Sequence, residues 1–328
     1  MTRKTKLWLG VGTYVLTGIT PVLQLPLDAA LSPAMAQSAP VVVDPCRKGL
    51  GGEGSRGGSE GGEGGEGGTS ASQPATLNPA IQPQELQQAV DQYKAYVLAE
   101  TNRLLTDSQV FTERVMAGDL AGAQAMYAPS RLGWERIEPI AESFAEFDRS
   151  IDARVDDFKG EDDPEFTGFH RIEMGLFKYN TTKGYEGFAQ KLMTDLEGLK
   201  TCIVALEIDP RDMVRGTSEL IEEVAQGKIT GEEERYSRTD FWAFQANVEG
   251  SQKIVEILRP LIQRVNPTIL GEIDQDFAAV NQVLAKYALP GGGFKSYDQL
   301  TPQDKQRLQA DLARLAENLA KLRGVIGV

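Results

Sequence analysis

Leu192-Met193-Thr194-Asp195-Leu196-Glu197-Gly198-Leu199-Lys200-Thr201-Cys202-Ile203-Val204-Ala205-Leu206 is the stretch that decides the fold class. Its large apolar residues, Leu192, Leu196, Leu199, Ile203 and Leu206, recur every three or four positions, the spacing that gathers side chains on one face of an α-helix. A half-buried strand would need alternation, and the chain shows no convincing example. The helical period returns on both sides: at Leu86, Val90, Tyr93 and Val97; at Ile137, Ile140, Phe144 and Phe147; at Leu220 and Val224; at Ile254, Ile257 and Leu258. It continues at Val280, Val283 and Leu284, then at Leu308, Leu312, Leu315, Leu319 and Leu322. Stop signals separate these runs: Ala128-Pro129, Gly184, Asp209-Pro210, Gly227, Asn266-Pro267 and Leu289-Pro290-Gly291-Gly292-Gly293. From Pro83 onward the chain is therefore expected to be all-α, and at about 245 residues it has a length at which one helical bundle usually becomes two.

The preceding residues read as an address and a spacer. Arg3, Lys4 and Lys6 precede a largely apolar run from Leu7 to Leu25, and Ala34-Met35-Ala36 follows, so residues 1–36 are expected to be a cleaved export signal. Gly10, Gly12, Gly18 and Pro21 argue against a permanent anchor. Residues 37–80 read as a flexible linker, because the Gly/Glu/Ser tract around Gly49 to Gly68 lacks the apolar residues that offset ordering entropy. Cys46 stands where that tract begins, whereas Cys202 shares the helical phase of Leu199 and Leu206 and reads as a buried small hydrophobe. A Cys46–Cys202 disulfide is the alternative in an oxidising compartment.

Composition excludes several chemistries. The 328 residues include one His and two Cys, too few for a catalytic zinc site of several imidazoles or a structural site of four Cys, or of two Cys with two His. With 34 Lys+Arg against 47 Asp+Glu the net charge is -13, and removing residues 1–36 makes the chain more acidic still. Nucleic acid and anionic membranes need the opposite balance, so no nucleic-acid partner is expected and cations are favoured.

The single histidine lies in Phe166-Thr167-Gly168-Phe169-His170-Arg171-Ile172-Glu173-Met174-Gly175-Leu176-Phe177. On a helix His170 and Glu173 are i and i+3, and Phe166, Leu176 and Phe177 fall on the same arc, so the pair lies within an apolar face. A carboxylate there needs a partner, which a metal ion or an Arg supplies, while a buried His–Glu hydrogen bond that specifies packing is the plainer reading. Glu135, Glu138 and Glu142 form a carboxylate stripe opposite Ile140, Phe144 and Phe147, the usual position of a solvated face, although a bound cation would relieve the repulsion along it. Asp152 and Asp156 are i and i+4, and Glu232-Glu233-Glu234 precedes a helix that three acids suit electrostatically.

Four strings taken in order, Tyr127-Ala128-Pro129-Ser130-Arg131, Glu135-Arg136-Ile137-Glu138-Pro139-Ile140-Ala141-Glu142, Gly168-Phe169-His170-Arg171-Ile172-Glu173 and Gly231-Glu232-Glu233-Glu234-Arg235-Tyr236-Ser237, resemble those of the imelysin-like EfeO/EfeM family of exported iron-uptake proteins. The resemblance covers residues 81–328 and implies an imelysin-like domain of two pseudo-symmetric four-helix bundles. It also implies a periplasmic location, iron as the cargo with zinc or copper as alternatives, and delivery to a membrane iron permease beside a haem peroxidase. Full-length EfeO proteins carry an N-terminal cupredoxin domain where this chain has its Gly/Glu-rich linker, so the EfeM type is the closer match. By the same resemblance the HxxE motif falls on His170 and Glu173, and the acidic metal cluster on Glu135, Glu138, Asp152 and Glu234, with Glu233 the alternative to Glu234 because the triple-Glu run allows either register. The family often has His where this chain has Arg238. Its grouping with metallopeptidases rests on HxxE, which lacks the second imidazole and separate base of HExxH, so no enzymatic activity is expected. A polysaccharide binder resembling alginate-binding members is the alternative, and it would need Trp134, Tyr236, Trp242 and Arg154 to line an open cleft.

Overall fold

Proline, a side-chain cap or both start most of the long helices. A computed structural model describes Cys46 and residues 76–328, apart from the side chain of Glu142; the expected export signal and most of the linker lie outside these residues. Helix α1 runs Pro83–Met116, α2 Leu120–Ile137, α3 Ala145–Ile151, α4 Gly168–Glu173 and α5 Glu186–Ala205. Then follow α6 Pro210–Gln226, α7 Asp240–Val265, α8 Pro267–Leu284, α9 Pro302–Ala320 and α10 Leu322–Ile326. Pro83, Pro210, Pro267 and Pro302 each sit in a first turn, where the missing N–H would have no helical partner anyway. Asp209, Asn266 and Thr301 cap α6, α8 and α9 by accepting from the backbone N–H of Arg211, Ile269 and Asp304. Among the described residues the sole β feature is one antiparallel bridge, Ala288 to Phe294, closing the Pro-Gly-Gly-Gly loop, so the all-α expectation holds.

The stripes become one contiguous core, from Val97, Leu192 and Leu196 to Ile254, Val280 and Leu315. Helix α1 packs on α2, α5 and α7, while α6 packs on α7 and α9, and α8 on α7 and α9, so α7 contributes to both groups. Among the described residues no helix is long and apolar enough to cross a membrane.

Three local expectations are corrected. Pro129 does not stop a helix but lies inside α2: Ala123 and Tyr127 before it and Trp134 and Ile137 after it are all buried, and packing on both sides carries the helix through the lost hydrogen bond. Conversely, the Ile137–Phe147 stripe is no continuous α-helix, because α2 gives way to a 3-10 stretch, Glu138–Phe144, before α3. Pro139 has no N–H to offer the carbonyl of Glu135, and the side chain of Asn247 on α7 donates to that carbonyl instead, at 3.0 Å. Finally, Cys202 is 98% shielded, as its phase predicts, yet it is not a free thiol but is disulfide-bonded to Cys46. Helical phase reports burial and cannot tell a small hydrophobe from half of a cystine.

Candidate metal centre

Helix α4 begins at Gly168, whose φ of +80° places it in the left-handed region, with Ile151 at the end of α3 against its Cα. A Cβ there would run into the Ile151 carbonyl, so glycine sets the approach of α4 to α3. One turn on, His170 and Glu173 project into the interior, 2% and 0% exposed, as the i,i+3 spacing within an apolar face predicts. The five residues Met174–Lys178 continue as a π-helical turn, a distortion that often accompanies functional sites.

The Nδ1 of His170 is 3.2 Å from Glu173 Oε2 and 3.5 Å from the Tyr127 hydroxyl. Its Nε2 has no hydrogen-bond partner among the described residues and lies 3.6 Å from Asp152 Oδ1. The other oxygen of Glu173 accepts from the backbone N–H of Tyr236 at 3.0 Å and Ser237 at 2.7 Å. Those amides belong to the segment after the 3-10 turn Lys228–Thr230, which also sends Glu233 and Glu234 inward, 4% and 2% exposed. Ligand-capable atoms of Asp152, His170 and Glu233 lie within 4.8 Å of one another, as do those of His170, Glu173 and Glu234.

Two buried cations sit among these acids. The guanidinium of Arg131, on α2, bonds Asp152 and Glu135, and its Nε lies 2.9 Å from Glu234 Oε1 without pointing its N–H at that oxygen. The ammonium of Lys228, 1% exposed, is 2.6 Å from Glu138, 3.2 Å from Glu233 and 3.6 Å from Glu135. Asn247 donates to both Glu135 Oε2 (2.9 Å) and Glu138 Oε2 (2.6 Å).

Of the six residues anticipated, the structure thus brings Asp152, His170, Glu173 and Glu234 together, adds Glu233, and places Glu135 and Glu138 in the adjoining Arg–Lys–Asn network. Glu135 is fully buried, which corrects the solvated-face reading: α7 covers the face of α2 opposite the apolar stripe. Arg238 pairs with Asp298 and the Gly231 carbonyl instead of joining the cluster. Sequence reasoning missed Arg131, Lys228 and Asn247. The i,i+4 spacing of Arg131 and Glu135 was the one available signal, and Lys228 and Asn247 reach the site only through tertiary packing.

Electrostatics follow from burial against these cations. Burial would raise Asp152, but Arg131, then His170 and Lys228, outweigh it and hold the carboxyl below its usual range. Burial raises Glu234 to about 8 despite Arg131. It also raises Glu138 strongly, with Glu135 adding to the effect and Lys228 opposing it. For His170, burial and Arg131 favour the neutral ring, but the bond to Glu173 and the charges of Asp152 and Glu234 win and raise its pKa.

A cleft of about 650 Å³ reaches this cluster, lined among others by Glu138, Asp148, Asp152, Arg154, Glu223 and Glu233. It offers no aromatic platform: Trp134 is 1% exposed, and Trp242 packs against Phe294 away from the cleft lining.

The family model described as imelysin, peptidase family M75, matches residues 89–322. The iron uptake system component EfeO of Escherichia coli (strain K12) is 53% identical over 241 residues, which is 73% of this chain and 64% of the relative. Proteins of the same name from Shigella flexneri and Shigella sonnei (strain Ss046) match to the same extent. The chain therefore spans 64% of the length of these curated relatives. With the family model covering most of the chain and this identity across the helical domain, the chain belongs to the imelysin family and is EfeO-like.

Proposed function

We propose that this protein captures iron, ferrous or ferric, in the periplasm and hands it to a membrane permease of an iron-uptake system that includes a haem peroxidase. The observation that carries the reading is His170 Nε2, a buried nitrogen with no hydrogen-bond partner among the described residues, facing Asp152 at an acidic cleft, with Glu233 and Glu234 each offering an oxygen within 4.8 Å of a nitrogen of the same imidazole. Hard carboxylate oxygens with one imidazole suit iron, with zinc or copper as weaker competitors for so oxygen-rich a set. Glu173 Oε1 is taken by two backbone N–H groups and Oε2 lies 3.2 Å from His170 Nδ1; with Nδ1 donating to it, His170 presents the Nε2 lone pair to the metal, and Glu173 orients the ligand rather than serving as the first one. The names of the EfeO relatives support iron uptake as the setting. A single imidazole in the whole sequence supports metal binding rather than the two-imidazole chemistry of HExxH peptidases.

Calorimetric titration of the helical domain with iron tests this. His170→Ala should weaken binding at least tenfold, and Glu173→Gln by about 10–100-fold through misorientation of the ring. Glu138→Ala, acting through Lys228 and Asn247, should weaken it less. Unchanged affinity in both His170→Ala and Glu173→Gln would remove the assignment.

A further inference from the structure

We propose that Arg131 and Lys228 are built-in competitors of the metal, holding in the metal-free protein the carboxylates that loading must take from them. The inference rests on the iron-capture reading. It comes from the overlap of two sets of contacts. Asp152 Oδ1, the oxygen that faces His170 Nε2, is the one bonded by Arg131. The Nε of Arg131 lies 2.9 Å from Glu234 Oε1, so this one guanidinium touches a carboxylate of each convergent triad. Glu233 is shared between Lys228 at 3.2 Å and Arg154 at 2.9 Å. Of the carboxylates in the two triads, only Glu173 is held by neutral backbone amides and the histidine.

Six carboxylates buried or nearly so, Glu135, Glu138, Asp152, Glu173, Glu233 and Glu234, could not share this interior without counter-charges. Arg131 and Lys228, 1% exposed each, supply them from inside the fold, so the acids need no metal to stay buried together. The same cations oppose loading. A metal at either triad lies a few ångströms from the guanidinium, where poor solvation leaves like-charge repulsion strong. Arg131 cannot shed its proton to relieve this, and its face rests on Phe169 with the centroid at 5.2 Å, so it yields the carboxylate oxygens rather than its charge. The result is a site that holds its acids ready and binds metal more weakly than its ligands alone would, as a protein that must pass its cargo on requires.

Iron titration against a competing chelator, together with the dissociation rate, tests this on the full chain with Arg131→Met and Lys228→Met. Both should bind iron more tightly and release it more slowly, Arg131→Met by at least tenfold. Lys228→Met, which touches only one triad carboxylate, should shift less. If Arg131→Met folds only with iron present, the metal is replacing the lost cation as expected, and Lys228→Met then carries the affinity comparison. Wild-type binding with equal or weaker affinity in the folded variants overturns the competitor role alone; no binding by the wild type removes the capture reading and this inference with it.

Discussion

Asp148 sits half-buried in the wall of the cleft, where burial and then the neighbouring Asp152 push its pKa up to about 7. A folded-state value above the ordinary 3.8 means that the folded chain holds this proton more tightly than the unfolded chain. Its contribution to stability is full below about pH 4 and is lost as pH rises through about 7. Asp148→Asn should therefore match the wild type near pH 4 and exceed it at pH 8 by on the order of 1–2 kcal/mol, discounted for the partly solvated cleft. Denaturant melts of the metal-free protein at the two pH values measure this, and equal stability at pH 8 would contradict the shift. Much at this scale was legible in the sequence. His170 and Glu173 are buried partners because i,i+3 spacing and flanking aromatics are local facts. Glu135 was misjudged because a helical wheel shows which face is polar but not that α7 lies across it. Lys228 and Asn247, distant in sequence from their partners, carry no local signal at all.

At the scale of the element, the site depends on how short, irregular pieces are set between long helices. Stripes such as Leu192–Ile203 and Leu308–Leu319 became α5 and α9: for α9 the period, the Thr301 cap and Pro302 agree, whereas α5, with neither a side-chain cap nor a first-turn proline, rests on its period and the packing of its buried stripe. Disagreement between local and tertiary preference explains the exceptions: Pro129 is overridden by packing, whereas Pro139 bends the chain into a 3-10 stretch once Asn247 satisfies the freed carbonyl. Gly168 is the junction on which the histidine depends. Gly168→Ala adds a positive-φ strain and a clash with the Ile151 carbonyl, and should lower stability by at least about 2 kcal/mol. It should also weaken iron binding, since α4 must shift relative to Asp152 at the end of α3. A variant with wild-type stability and affinity would show that the α3–α4 approach does not position the site.

For the whole molecule, the disulfide and the acidic interior act in opposite directions. Cys46 and Cys202 are 156 residues apart in sequence, so their bond shortens the unfolded chain greatly. Reduction, or Cys202→Ser, should lower stability by about 2–4 kcal/mol and the melting temperature with it; an unchanged melt would mean that the tether adds nothing. Fold class was readable from periodicity alone because helix formation is local. The shared role of α7 and the convergence of α2, α4 and the 231–239 segment on one imidazole were not, since they exist only in the packed chain. That convergence is what makes the strongly acidic chain a candidate for selective capture rather than for loose attraction of cations. Anomalous scattering at the iron edge from iron-soaked crystals tests it most directly. We expect an iron peak bonded to His170 Nε2 with oxygens of Asp152 and of Glu233 or Glu234 around it, and Arg131 drawn back from Asp152. Iron bound elsewhere on the acidic surface, with His170 Nε2 still without a ligand, would contradict it.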